Sequence, residues 1–338
     1  MRSCLNDKFS RTPSRGIADL LIRGSARFGL LFILLVLWIV FSSLSPGFLS
    51  RFNLGSMFRS VAVDVVVGCA QMVVLATGGM NLSVGAIGVC AVMSVGYFLQ
   101  VLNLPLPIAI LATLGVGGLL GWLNGVAIAK TGVNSFVVTL ASASLFSGGM
   151  LILTKGVPLN ALPPALGSFG RMSFGPVPAL ALVTIAIGVV LHIAFFHTTL
   201  GRQILAAGAN ARAAEMSGIR VNRIVVVAHS LSGMLAAAAA LMLTARLGAA
   251  MPSVAGDDWV LPSFLAPVIG GTALSGGEVS VVGAILGALL VATIRSGLLI
   301  LQIGDFWLQL FLGVFLLAAI MFERYRATLM LRQQVRRL

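Results

Sequence analysis

Few residues in this sequence are of types that do covalent or metal chemistry, and none are spaced for it. The nearest approach to a phosphate-binding loop is Gly125-Val126-Ala127-Ile128-Ala129-Lys130-Thr131. Ala129 stands where a glycine must precede the lysine, and the glycine spacing is wrong, so a nucleotide loop of that type is rejected. His192, His197 and His229 are dispersed, and neither HExxH nor GxSxG occurs. Cys4, Cys69 and Cys90 are odd in number and lack metal-ligand spacing. No catalytic residue, metal site or disulfide framework is expected.

What remains is a set of polar groups in apolar surroundings: Asp64, Gln71, Asn124, His192, His229, Arg295 and Gln302. Inside a bilayer each needs a partner, Asp64 and Arg295 above all. Transport driven by a proton gradient requires several buried carboxylates, and Asp64 is the single candidate, which argues against a secondary transporter.

The stretch that must present any contact with a partner protein is the basic interruption Thr198 to Arg223, TTLGRQILAAGANARAAEMSGIRVNR. Asn210 is a good N-cap, Ala211 to Ser217 can make about two helical turns, and Gly218 can take the left-handed conformation that ends them. Ala211, Ala213 and Ala214 would let another backbone come close. Arg212, Glu215, Arg220 and Arg223 offer charge pairing at the rim. An ordinary cytoplasmic loop with an incidental helix is the alternative, although a loop that only joined two spans could be far shorter.

Around this stretch the chain is nearly all membrane. It has 338 residues, 59% hydrophobic and 9% charged, with a mean hydropathy of +1.07, which places it among polytopic membrane proteins. The net charge of +13 would suggest nucleic acid in a soluble protein. Here the basic residues flank apolar runs, so the charge reads as topology and no nucleic acid is expected. Arg2, Lys8, Arg11, Arg15, Arg23 and Arg27 precede the first apolar run, and Arg324, Arg326, Arg332, Arg336 and Arg337 close the chain. Both termini and the central loop are therefore expected in the cytoplasm, with Asp257 and Asp258 on the other side. The basic N-terminus lacks a small-residue cleavage pattern near Ser42 to Pro46 and reads as a retained signal-anchor.

At roughly 20 apolar residues per helical span, an all-α polytopic membrane protein of about ten transmembrane helices is expected, some of them broken or re-entrant. The spans fall near 28–44, 60–77, 84–102, 107–128, 136–153, 178–196, 225–245, 259–274, 280–300 and 306–322. The domain plan is a basic cytoplasmic tail at 1–27, a transmembrane domain at 28–322 carrying the loop 198–224, and a basic cytoplasmic tail at 323–338. Gly117, Gly121 and Gly125, and again Gly283 and Gly287, are spaced for close helix packing. The stretch 259–274 holds Pro262, Pro267, Gly270 and Gly271, which suits a broken or re-entrant helix.

Two segments break the apolar pattern alike: GGMNLSVG from Gly78 to Gly85 and GGTALSGGE from Gly270 to Glu278. Paired glycines followed by Asn or Thr and Ser permit tight turns, and Asn81 or Ser83 could cap the helix that follows. Discontinuous helices in paired positions also occur beside transporter substrate sites. Both readings stay open at this level.

In four segments the chain resembles the permease subunits of bacterial ABC importers for ribose, xylose and related monosaccharides. These are GGMNLSVGAIGV (78–89), NSFVVTLASASLFSGGMLILTKGVP (134–158), LGRQILAAGANARAAEMSGIRVNR (200–223) and VIGGTALSGGEVSVVGAILGALL (268–290). The superfamily includes branched-chain amino acid and nucleoside permeases. The resemblance implies a multi-pass protein of the bacterial inner membrane, without an ATPase site of its own. Its partners would be a cytoplasmic ATP-binding subunit that uses ATP and Mg, a periplasmic substrate-binding protein, and a second permease chain in a homodimer or heterodimer. No cofactor is expected on the chain itself, and membrane lipid surrounds it. Coupling to the ATPase would fall to Gly208, Asn210, Ala213, Ala214, Glu215, Ser217 and Gly218. The substrate pathway would fall to Asn81, Ser83, Phe136, Thr139, Thr272 and Ser275. The family's usual acidic residue is Asn81 here, its usual glycine is Val279, and Glu278 stands where a basic residue is frequent. Polyol, autoinducer or nucleoside cargo is the alternative within the fold, and an ATP-independent channel or facilitator, or an ion-driven secondary transporter, the alternative outside it.

Overall fold

The structure, a computed structural model, describes residues 15–175, 177–304, 307–314, 317–318 and 321. In chain order the helices are α1 (Arg15–Leu44), α2 (Arg51–Leu75), α3 (Val84–Gln100), α4 (Leu106–Thr131), α5 (Ser135–Thr154), α6 (Pro164–Arg171), α7 (Ala179–His197), α8 (Thr199–Ala209), α9 (Ala211–Met216), α10 (Val221–Leu247), α11 (Asp257–Ile269) and α12 (Val281–Ile300). A short antiparallel pair, β1 (Ser173–Phe174) and β2 (Val177–Pro178), precedes α7.

Among the described residues, α2, α4, α5, α7, α10 and α12 are the 6 helices long and apolar enough to cross a membrane. The apolar part of α1, α3 and α11 are shorter. The expected ten spans thus meet six full-length helices, three short ones, and the region 306–322, whose described part is helical over 307–314. Of the two expected tails, residues 1–14 and 323–338 lie outside the described residues, and α1 already begins at Arg15.

The helix α2 is apolar on every side, from Val61 through Val63, Val66, Val67 and Met72, and a helix of that kind belongs in an interior. Of its most apolar window, 83% is buried, under α7, α10, α11 and α12. In α5 the corresponding share is 6%, so this helix lies at the periphery. The most extensive pairing is α4 with α10. A methyl at Gly117, Gly121 or Gly125 would strike the α10 backbone at Gly233, His229 or Val226, as the four-residue glycine spacing predicts. Gly283 and Gly287 bring α12 equally close to Gly270 and Ala266. The stretch expected to be broken is the 13-residue α11, with Pro262 and Pro267 inside it and a non-helical run after Gly270.

Candidate functional site

The two glycine-bearing segments that look alike in sequence are built differently. After α2 the chain turns over Ala76–Gly78 and then runs non-helically to Ser83, where α3 begins. Asn81 Nδ2 donates to Ser232 Oγ at 2.9 Å. Ser232 lies 11 residues into α10, about 16 Å along that helix. Irregular backbone at such depth in a membrane protein must find partners inside the protein. Side chains supply them for Met80, Asn81, Leu82 and Ser83. Ser135 Oγ accepts from Met80 N at 2.9 Å. In the amide orientation that satisfies both groups, Gln71 donates to Asn81 O at 2.8 Å and accepts from Asn81 N at 3.2 Å. Thr139 Oγ1 accepts from Leu82 N at 3.1 Å, and Asn81 Oδ1 accepts from Ser83 N at 3.1 Å and Ser83 Oγ at 2.7 Å. Asn124 Nδ2 of α4 closes the set on Ser83 Oγ at 2.7 Å.

Asn81, Ser83 and Thr139, expected near a substrate pathway, lie inside the fold. Asn81 is 1% exposed and Ser83 and Thr139 are fully buried, and their polar side-chain atoms bond backbone and side chains of the same chain. Thr272 is also buried, with its hydroxyl oxygen 3.4 Å from Ser280 N. Ser275 is exposed, and Phe136, at 43%, points away from the core. Gln71 and Asn124 were visible in sequence as polar residues in spans. Ser135 and Ser232 carried no signal, because a lone serine in an apolar run is common.

The second segment, Gly270 to Ser280, is held by backbone bonds. Thr272 N donates to Pro267 O at 2.8 Å, Ala273 N to Glu278 O at 3.2 Å, and Gly277 N to Ala76 O at 3.0 Å. Gly271, Gly276 and Gly277 all have φ above +80°, a region that side chains disfavour. Here the two segments meet each other and the end of α8. A Cβ on Gly276 would lie 2.6 Å from Gly78 N and 3.0 Å from Gly208 O. A Cβ on Gly208 would collide with Ala76 O and lie 2.7 Å from Gly277 N. Gly208, expected to take part in coupling to a partner, is thus a three-way backbone junction at the end of α8.

Beyond that junction, α9 is closed at both ends. Asn210 Oδ1 accepts from Ala213 N at 3.0 Å. At the other end Gly218, φ +83°, completes a Schellman cap, with Ile219 N on Ala214 O at 3.0 Å and Gly218 N on Glu215 O at 2.9 Å. Ser217 Oγ adds a bond to Ala213 O at 2.9 Å. Ala213, Glu215, Ser217 and Gly218 are exposed, whereas Ala214 is 4% exposed and anchors the helix on its own chain. Met216, absent from the expected set, is 91% exposed.

Away from this end, Asp64 of α2 and Arg295 of α12 find each other, with Oδ2 and Nη1 3.7 Å apart. His229 Nδ1 is 3.0 Å from Val225 O. Among the described residues no group of three His, Cys, Asp or Glu side chains could hold a metal ion.

The model of a family described as "Branched-chain amino acid transport system / permease component" matches residues 53–320. Ribose import permease protein RbsC of Bacillus subtilis (strain 168) is 35% identical over 87% of this chain and 91% of its own length. D-allose transport system permease protein AlsC of Escherichia coli (strain K12) is 30% identical over 88% of this chain and 91% of its own. Autoinducer 2 import system permease protein LsrC of Salmonella choleraesuis (strain SC-B67) is 31% identical over 87% of this chain and 84% of its own. No solved structure matches the chain.

Proposed function

We infer the function from one premise: the chain belongs to the family of branched-chain amino acid transport system / permease components. It is the membrane permease subunit of an ABC importer for a monosaccharide, ribose-like in kind. The observation that carries this is the nearly full-length likeness to the ribose permease, 35% identical over 87% of the chain. The protein resides in the bacterial inner membrane, with about ten spans and both termini in the cytoplasm. A cytoplasmic ATP-binding subunit uses ATP and Mg, a periplasmic binding protein delivers the sugar, and a second permease chain completes the pathway. Likeness to the autoinducer 2 permease, 31% identical, favours an autoinducer cargo as the second reading.

The chain carries no nucleotide loop of its own, so the energy must enter through a surface. The closed, outward-facing α9 supports that assignment. Movement of α9 passes through α8 to the Gly208 junction, and from there to α2 and to the turn before α12. Only contacts that differ between the two end states bias such a change. Pathway roles for Asn81, Ser83, Thr139 and Thr272 are indirect, through the segments they hold in place, and Phe136 on the outer face of α5 is the candidate for direct contact.

Uptake of labelled ribose by cells lacking their own ribose permease tests this, with the chain co-expressed with its ATP-binding subunit and binding protein. ATP-dependent accumulation that cold ribose suppresses is expected. Equilibration that persists without the ATP-binding subunit would replace the importer reading with a facilitator.

A further inference from the structure

The loop from Leu200 to Arg223 holds four arginines, Arg202, Arg212, Arg220 and Arg223, against the single acid Glu215. All five are exposed. Among the described residues, Met216 at their centre is the most exposed large apolar side chain, at 91%. Other strongly exposed apolar side chains, such as Ile152 at 79% and Leu153 at 80%, lie on the span α5, where lipid is the natural neighbour. Met216 sits in a polar loop between two spans, where its own chain does not cover it. Its backbone is fixed by the Asn210 cap on one side and the Schellman cap on the other. Ala214 pins the helix from below. So rigid a mount leaves little backbone freedom to lose when this adaptable, polarisable side chain enters a pocket.

We propose that Met216 is the anchor of the contact with the ATP-binding subunit. The site it enters on that subunit is an apolar well ringed by carboxylates, which face Arg212, Arg220 and the neighbouring arginines. This rests on the importer reading above and adds the chemistry of its docking site. The small face expected from the alanines is secondary. Ala214 is turned inward, and Ala211 and Ala213 let the rim come close without filling a pocket. Interfaces concentrate their affinity in a few central apolar anchors, while rim charges set encounter rate and salt dependence.

The test is a titration of the full chain in nanodiscs with its purified ATP-binding subunit, for the intact chain, Met216→Leu, Met216→Ser and the double variant Arg212→Gln/Arg220→Gln. Because Met216 is exposed, its replacement leaves folding intact, which the elution profile of each variant checks. Met216→Ser is expected to weaken binding about tenfold or more, and Met216→Leu by no more than about twofold. The salt dependence of Met216→Ser is expected to match that of the intact chain, and the arginine variant to show a flatter one. Binding of Met216→Ser as tight as that of the intact chain overturns the anchor while leaving the importer reading in place. A salt dependence unchanged in the arginine variant overturns the acidic rim. No binding by the intact chain overturns the importer reading and the anchor with it.

Discussion

The segments Gly78–Gly85 and Gly270–Glu278 carry nearly the same sequence pattern and sit at the same end of the bundle, yet they are held by opposite means. In the first, side chains of α2, of α5 and of Asn81 itself satisfy the backbone from Met80 to Ser83, while α4 and α10 bond the side chains of Ser83 and Asn81, so that one short insert locks four helices. In the second, backbone bonds to Pro267, Glu278 and Ala76 bear the load, with three glycines at positive φ and a long side-chain contact at Thr272. A segment locked by side chains is stiff and specific, because each bond comes from a fixed distant helix. A segment built on glycine and backbone bonds can shift as a unit while keeping its own bonds. The first therefore behaves as an anchor and the second as a joint, both meeting α8 at Gly208.

The comparison is most exposed at the shared junction. Gly208→Val puts a branched side chain between Ala76 O and Gly277 N, where backbone cannot yield. ATP-dependent uptake is expected to fall by more than about tenfold, since overpacking against backbone costs several kcal/mol. Uptake at the intact level would dissolve the idea that anchor and joint share one contact.

Next in size is Asn81→Leu, which strands the hydroxyls of Ser83 and Ser232 in a buried site. A loss of about 3 kcal/mol in detergent unfolding is expected, given about 1–3 kcal/mol for each buried polar group left unpaired. Gly276→Ala acts on the joint and combines φ +87° with a Cβ 2.6 Å from Gly78 N. Strain of about 2 kcal/mol is expected, together with slower uptake at normal membrane insertion. The smallest effect belongs to Thr272→Val, which removes one bond of 3.4 Å and keeps the shape. Less than about 1 kcal/mol is expected. If unfolding showed Thr272→Val as costly as Asn81→Leu, the two segments would be alike after all.

Much of this architecture is legible in the chain. The apolar spans follow from hydropathy, the close-packing faces of α4 and α12 from glycines four residues apart, and the ends of α9 from Asn210 and Gly218. These features are local or periodic, so neighbours in sequence decide them. The short α11 was legible through Pro262 and Pro267, whose missing N–H groups and rigid rings interrupt a helix wherever they stand. The exposure of Met216 was not, since a methionine beside alanines has no pattern that says which way it turns.

The sequence by itself therefore determined a multi-pass helical chain, a capped basic loop, and two glycine-rich breaks. Only the tertiary structure decided what the polar residues at those breaks do. Asn81 reaches Ser232 across 151 residues of chain, and Leu82 reaches Thr139 across 57. A hydroxyl or amide in an apolar run has the same appearance whether it greets a passing solute or a stranded backbone N–H. Which of these it meets depends on helices that become neighbours only when the bundle closes.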